Sequence, residues 1–362
     1  MTSRDVTLTR RTPATIREVA DRAGVSQMTV SRVMNSPDRV KTATRERVRQ
    51  AMADLGYRPN LLARNLAGGR SLFIGLIYDN PSPGYLTELL LGALRACEAH
   101  GHHLVLQDIG AEAEGYVDPV ALAQRVSERP IDAIIVAPPL SEDPDVRAVL
   151  VGSGLPCVLV APPETSADEA AVAIDDEAAA AAMTAHLAGC GHERIAFIAA
   201  PEEHRTGRRR TDGYRRALAE AGLAVPDGYV ERGAFTYRSG MEAAARLLAL
   251  PVPPTAIFAA NDDMAAGALA AAHQAGLTVP TDLSVAGFDD TGMATTVWPQ
   301  LTTVRQPIAD MAARAVALLG ERWREAGGGA PHERFAFAIV ERDSVASLTP
   351  VMPDERVSAA PR

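Results

Sequence analysis

Residues 14–35, ATIREVADRAGVSQMTVSRVMN, admit few folds. Thr15 followed three residues later by Glu18 forms a capping box, which starts a helix. Ile16, Val19, Ala20 and Ala23 then recur at helical spacing and give that helix one apolar face. Gly24 permits a tight turn because it has no Cβ to clash there, and Val25 plugs the angle that follows. Ser26 caps a second helix with Val30 and Val33 facing inward. Gln27, Met28, Thr29, Ser31 and Arg32 are left outward or along its flanks. This is the layout of a helix-turn-helix, whose second helix lies in the DNA major groove. An ordinary helical hairpin with a polar face is the competing reading.

Charge separates the two. Residues 1–70 hold 14 Arg or Lys against 6 Asp or Glu, whereas the whole chain of 362 residues carries a formal charge of −9. A basic head on an acidic body is a polyanion-binding module joined to something else. After a loop, SPDRVK, residues 36–57 supply a third amphipathic helix whose core face is Val48, Ala51, Met52 and Leu55. Asn60 then caps a short helix running to Leu66, which Gly68-Gly69 ends with a flexible joint.

At 362 residues the chain is long enough for two or three domains. The N-terminus, MTSRDVTLTRRTP, lacks the apolar run of a signal peptide, and no stretch approaches a transmembrane span. A cytoplasmic location is therefore expected. Cys97, Cys157 and Cys190 are odd in number and far apart, and His100, His102 and His103 follow a helix. Neither group has metal-ligand spacing, so no metal is expected. From about residue 71, short apolar runs alternate with helical ones. Candidate strands are 73–77, 103–107, 133–137 and 157–160, then 195–199, 256–260 and 283–287. Helical stretches at 86–100, 118–128, 177–188, 209–221, 240–249 and 262–275 lie between them. Two such series predict two lobes, each a doubly wound parallel sheet with helices on both faces. Ligands of such sheets bind at the carboxyl ends of the strands, here between the lobes.

The motifs AGVSxxTVSRVMN and TRERVRQAMADLGYRPNLLARNLAGG resemble, without a break, the headpiece and hinge of the lactose-repressor (LacI/GalR) family. GHERIAFIAAPEEHRTGRRRTDGYRRAL, PTAIFAANDDMAAGAL, SVAGFDDT and PQLTTVRQP are similar to that family's effector domain. The resemblance implies a headpiece over 14–59 and a hinge helix and linker over 60–70, with a periplasmic-binding-protein-like (type I) body over 71–345. Tails at 1–13 and 346–362 are expected to be disordered. It implies base reading by Gln27, Met28 and Arg32, with adenine, a thymine methyl and guanine as suitable partners. Thr29, Ser31, Asn35 and the backbone at Ser26 suit phosphates, and Thr15, Asn60 and Ala63 complete the DNA-facing set. Leu66 takes the place of the leucine that wedges into the minor groove. Arg39, Lys41, Arg45 and Arg64 are either phosphate contacts or solvated surface groups.

For the effector the resemblance points to Arg210, Asn261, Asp262 and Asp289 at strand ends in the second lobe, with Phe235 and Gln306. Asp79, Tyr85 and Asp175 come from the first-lobe side. Planar Asp, Asn and Arg groups can bind adjacent sugar hydroxyls in pairs. Asn261 alternatively caps its helix, and Asp290 reads as a structural acceptor. The family's three lobe crossings fall near 162, 291 and 326, with 292–325 returning to the first lobe and 330–345 to the second.

The expected protein is a homodimeric repressor binding a palindromic operator under the control of a small effector. A sugar is the first choice of effector. Arg208, Arg209 and Arg210 in a row keep a sugar phosphate open, as are a nucleobase or a protein corepressor. Catalysis is not expected. Asp262/Asp263 and Asp289/Asp290 offer carboxylate pairs of the glycosidase kind, but no serine elbow, phosphate loop or metal spacing accompanies them. No cofactor is expected, and the tail has no leucine heptads to build a tetramer.

Overall fold

The computed structural model describes residues 16–35, 40–55, 71–108, 122, 131–321 and 329–348. The chain divides into two compact units, Met1–Ser71 and Leu72–Arg362.

In the first unit, α1 (Ile16–Ala23), α2 (Gln27–Asn35) and α3 (Thr42–Asp54) enclose a small core. Val19, Ala20, Ala23, Val30, Val33, Val48 and Ala51 fill it, and Val25, Val40, Met52 and Leu55 pack at its edge. Gly24 turns the chain at φ +66°, and the Val25 amide then donates to the Ala20 carbonyl at 3.0 Å. The Ser26 hydroxyl accepts from the Thr29 amide at 3.2 Å, which caps α2 as the sequence requires.

The second unit contains two six-stranded sheets. The first lobe begins with β1 (Phe73–Tyr78), α4 (Pro83–His100), β2 (His103–Asp108) and β3 (Ala133–Val136). It continues through α5 (Pro144–Gly152), β4 (Cys157–Val160) and β5 (Ala170–Ala173). The second lobe has α6 (Asp176–Gly189), β6 (Ile195–Ala199), α7 (Arg205–Glu220), β7 (Val230–Arg232) and α8 (Tyr237–Leu248). It goes on with β8 (Ala256–Ala259), α9 (Asp262–Gln274), β9 (Ser284–Asp289), α10 (Gly292–Thr296) and β10 (Thr302–Arg305). The chain closes with α11 (Ile308–Gly320), β11 (His332–Arg334) and β12 (Ala338–Val340).

Strand order is β11-β5-β4-β3-β1-β2 in one sheet and β12-β10-β9-β8-β6-β7 in the other. Every pairing is parallel except β10 with β12. Each sheet therefore reverses direction at its own centre, β1/β3 and β6/β8, and opens a crevice at the carboxyl ends of those strands. All seven strands expected from sequence are present. The expected helix 118–128 lies, apart from Leu122, outside the described residues.

The lobe crossings differ from those expected near 162, 291 and 326. β5 still pairs in the first sheet, so the chain first crosses at 174–175 before α6 joins the second lobe. It returns at 306–307, because β10 belongs to the second sheet while α11 packs on α4 and the first sheet. The last crossing is 335–337, between β11 and β12. The error arises from β5, β10 and β11: three or four residues each, AAVA, TTVR and HER, too short to show a period. The body also extends past the expected boundary at 345. Ala346 donates to Ser284 Oγ at 3.0 Å, and the Leu348 amide donates to the Cys190 carbonyl at 2.7 Å.

Among the described residues no helix is long and apolar enough to cross a membrane, and no acidic, His or Cys cluster could hold a metal. The three cysteines are free thiols, and burial pushes Cys97 up to about 11.

Candidate functional site

Two surfaces carry the candidate residues. On α2, Gln27, Met28 and Arg32 are exposed and Thr29 is half-buried beside Ser26. Met28 is 65% exposed, an unusual place for a long apolar side chain unless another surface covers it. Ser31 and Asn35 lie on the same helix. Thr15, Asn60, Ala63 and Leu66 lie outside the described residues, as do the hinge 60–70 and the tails 1–13 and 349–362.

The second surface is a cleft at the strand ends. From the first lobe it is lined by Asn80, Ser82, Tyr85, Pro138, Pro139, Glu142 and Ala161. From the second it receives His204, Thr206, Arg210, Phe235, Asn261 and Asp289.

Arg210 and Asp289 form its centre. Gly213 lets α7 lie directly on α6, because a Cβ there would strike the Glu177 carbonyl. Arg210, one turn earlier, is thereby brought against Asp176 at the start of α6. Its Nε donates to Asp176 Oδ1 at 2.8 Å and its Nη1 donates to the Ala260 carbonyl at 2.6 Å. Asp289 Oδ1 is 3.6 Å from Nη1, and the guanidinium lies 3.7 Å from the centre of the Phe288 ring. Burial works against the Arg210 charge, but Asp176 and Asp289 outweigh it and hold the cation above its ordinary range.

Asp289 is 4% exposed and sits at φ +113°, a backbone position that costs on the order of 1–3 kcal/mol for a residue with a side chain. The strain persists because neighbours fix it. Asp290, at φ +57°, accepts from Arg305 Nε and Arg342 Nη2, both at 2.6 Å. This matches its reading as a structural acceptor. Gln306 Nε2 donates to Asp289 Oδ1 at 2.5 Å. Burial pushes the Asp289 carboxyl up to about 7, against the pull of Arg210 and the Gln306 hydrogen bond.

Opposite them, the Tyr85 hydroxyl is buried and has no hydrogen-bond partner among the described residues. Burial raises its pKa, so it remains a neutral donor. Glu142 is 6% exposed and accepts the Thr206 amide through Oε2 at 3.2 Å. Phe235, at φ +58°, meets His204 edge to face at 5.3 Å. Its carbonyl accepts from Asn261 Nδ2 at 3.0 Å, while Asn261 Oδ1 caps α9 through the Met264 amide at 2.9 Å.

Tyr85, Arg210, Phe235, Asn261 and Asp289 thus line the cleft as expected, and four other expected residues do not. Asp262 lies behind it: Oδ1 accepts Thr303 Oγ1 at 2.6 Å and Oδ2 accepts the Thr291 amide at 2.8 Å. Burial and the nearby Asp289 push its carboxyl well above the usual range, which suits a bracing group. Asp175 caps α6 and pairs with Arg334 at 3.1 Å, so it joins the first crossing to the strand before the third. Gln306 sits in the second crossing. Asp79 lies farther out, in a compartment of its own. Sequence reasoning missed Glu142, in a single helical turn after β3, and His204 and Thr206, at the first turn of α7, where no periodic pattern marks a ligand-facing group. Arg208, in the outer compartment, does not line the inner cleft.

The description "Bacterial regulatory proteins, lacI family" matches residues 15–60, and "Periplasmic binding protein-like domain" matches 184–345. Catabolite control protein A of Priestia megaterium is 38% identical over 306 residues, covering 84% of this chain and 91% of its own. The chain belongs to the LacI family. Two solved structures agree. The lac repressor dimer bound to operator and the anti-inducer ONPF superimposes with a TM-score of 0.76 at 28% identity, over 92% of this chain and 100% of that one. The transcriptional regulator CelR–cellobiose complex does so with a TM-score of 0.69 at 30% identity, over 91% and 99%. This LacI-family chain is a DNA-binding transcriptional regulator with a ligand-binding body, not an enzyme.

Proposed function

We propose that the protein is a homodimeric repressor that binds a two-fold-symmetric operator and responds to an uncharged sugar in the inter-lobe cleft. The observation that carries the effector assignment is the balance of hydrogen-bonding groups in the cleft. Among the described residues Arg210 is the only guanidinium lining it, and Asp176, Asp289 and the Ala260 carbonyl already occupy it. Glu142 and Asp289 add two carboxylates, and Tyr85 supplies an unspent donor. A phosphate would meet net negative charge, whereas hydroxyls donate to carboxylates and accept from tyrosine and arginine. The Phe235 ring offers the apolar surface that a sugar ring face requires. The cellobiose carried by CelR, a relative of similar fold, points the same way.

Coupling follows from the wiring of Asp289. Gln306 ties it to the second crossing, and Arg210 with Asp176 ties it to the end of the first. A ligand that engages Asp289 and Arg210 therefore acts on two of the three connections about which the lobes rotate. It shifts the population of lobe arrangements only by its difference in affinity for them.

On the DNA side, Gln27, Met28 and Arg32 read base edges, and Thr29, Ser31, Asn35 and Ser26 position the helix on phosphates. Thr15, Asn60 and Ala63 join them, with Leu66 as the minor-groove wedge. Selection of bound sites from a random duplex library tests this. Two inverted half-sites are expected; a consensus without symmetry contradicts paired headpieces.

A further inference from the structure

The cleft has two compartments. Beyond the inner one lies a second, larger compartment. Pro139, Glu142 and His204 line both, so the two are continuous. Their seam is built rather than incidental. His204 stands edge-on to Phe235, which extends the apolar floor of the inner compartment outward, and Pro139 faces it from the other lobe. Glu142 is fixed at the seam by the Thr206 amide on one carboxylate oxygen.

The outer walls combine apolar surface from Pro81, Pro139, Leu140 and Pro144 with unspent charged groups. Asp79, Glu203 and Arg208 line them, and among the described residues neither carboxylate is hydrogen bonded or ion paired. Arg205 is turned to Glu164. With Asp143 also present, carboxylates outnumber free cations, so a charged phosphate is no better accommodated outside than inside.

We propose that the effector is an uncharged oligosaccharide of at least two rings, with one ring held by Arg210, Asp289 and Phe235 and the next lying past Glu142 and His204 between Asp79 and Glu203. This rests on the reading of the inner cleft as a sugar site and adds its length and its second subsite.

Calorimetric titration of the full chain with glucose, then with α-1,4- and β-1,4-linked gluco- and xylo-oligosaccharides of two to four rings, tests it. One linkage series binds at least about tenfold more tightly at two rings than at one, the worth of one good additional hydrogen-bonded contact set. The double substitution Asp79→Ala/Glu203→Ala removes that gain and leaves monosaccharide affinity within about twofold. Monosaccharide binding as tight as any oligomer, or equal loss of both in the double variant, overturns the second subsite alone. If no saccharide binds while operator binding is intact, the inner cleft is not a sugar site and both readings fall.

Discussion

The headpiece and the body treat charge and apolarity in opposite ways. The headpiece hides only valines, alanines and their neighbours and displays Gln27, Met28 and Arg32 on α2. The body buries Arg210, Asp176, Asp262 and Asp289 and surrounds them with donors and acceptors. A surface that docks on a rigid, regular duplex can leave its reading groups in water. A cleft that senses a small molecule, as we propose, needs groups already oriented and dry, and it holds them with strain at Phe235, Asp289 and Asp290. Substitutions that break the buried cluster of Arg210, Asp176 and Asp289 should therefore cost stability and response together, while those on α2 should cost DNA affinity alone.

The largest effect is expected from Arg210→Ala. It leaves Asp176 and Asp289 buried without their cation, a loss of about 3–5 kcal/mol in unfolding free energy, and it removes the effector response. Chemical denaturation checks this, and a loss below about 1 kcal/mol would mean that the cluster is not cooperative. Gly213→Ala is next. Its methyl would meet the Glu177 backbone and push α7 off α6, at a cost of about 1–3 kcal/mol by the same measurement.

A pH profile separates the carboxylate from the cation. Asp289 carries its proton below about 7, and the protonated acid is the poorer acceptor for ligand hydroxyls. Effector affinity should fall as pH drops from 8 to 6, and Asp289→Asn should flatten the profile. Calorimetry at several pH values reads both. Tyr85→Phe is smaller. The hydroxyl has no partner among the described residues, so stability should hold or rise slightly while effector affinity falls by about 1 kcal/mol, or fivefold. The smallest change in stability belongs to Met28→Ala, within about 0.5 kcal/mol, although operator affinity drops by about 1 kcal/mol. A stability loss at Met28 as large as that at Gly213 would erase the contrast between a displayed and a buried site.

The same contrast explains what could be read from the sequence. The headpiece is linear: its cap, turn glycine and apolar spacing lie within 22 residues, and Ser26, Gly24 and Val30 take the roles their order implies. The long hydrophobic strands of the body were equally visible. The cleft, however, is gathered from the ends of seven strands, so legibility depends on local signals. Arg210, Asp289 and Phe235 were legible through the motifs that resemble the family's effector domain, since β7 before Phe235 is only three residues, VER, and shows no period. Glu142 ends a single helical turn, and His204 and Thr206 stand at the first turn of α7, where nothing periodic marks them. Asp262 misled because an acid just after a strand looks like a ligand group, while its oxygens are in fact turned to Thr291 and Thr303. Asp175 and Gln306 were placed near the ligand and lie instead in the crossings, which short strands had concealed.

The most direct measurement is fluorescence anisotropy with duplex DNA from upstream of the protein's own gene, with and without the saccharide series, for the native chain and Asp289→Asn. Both proteins should bind the duplex equally, and one saccharide should change the affinity of the native chain at least about tenfold, or 1.4 kcal/mol, while leaving the variant unmoved. Equal shifts in both proteins, or none in either, would contradict a regulator whose DNA affinity is set through Asp289 in the inter-lobe cleft.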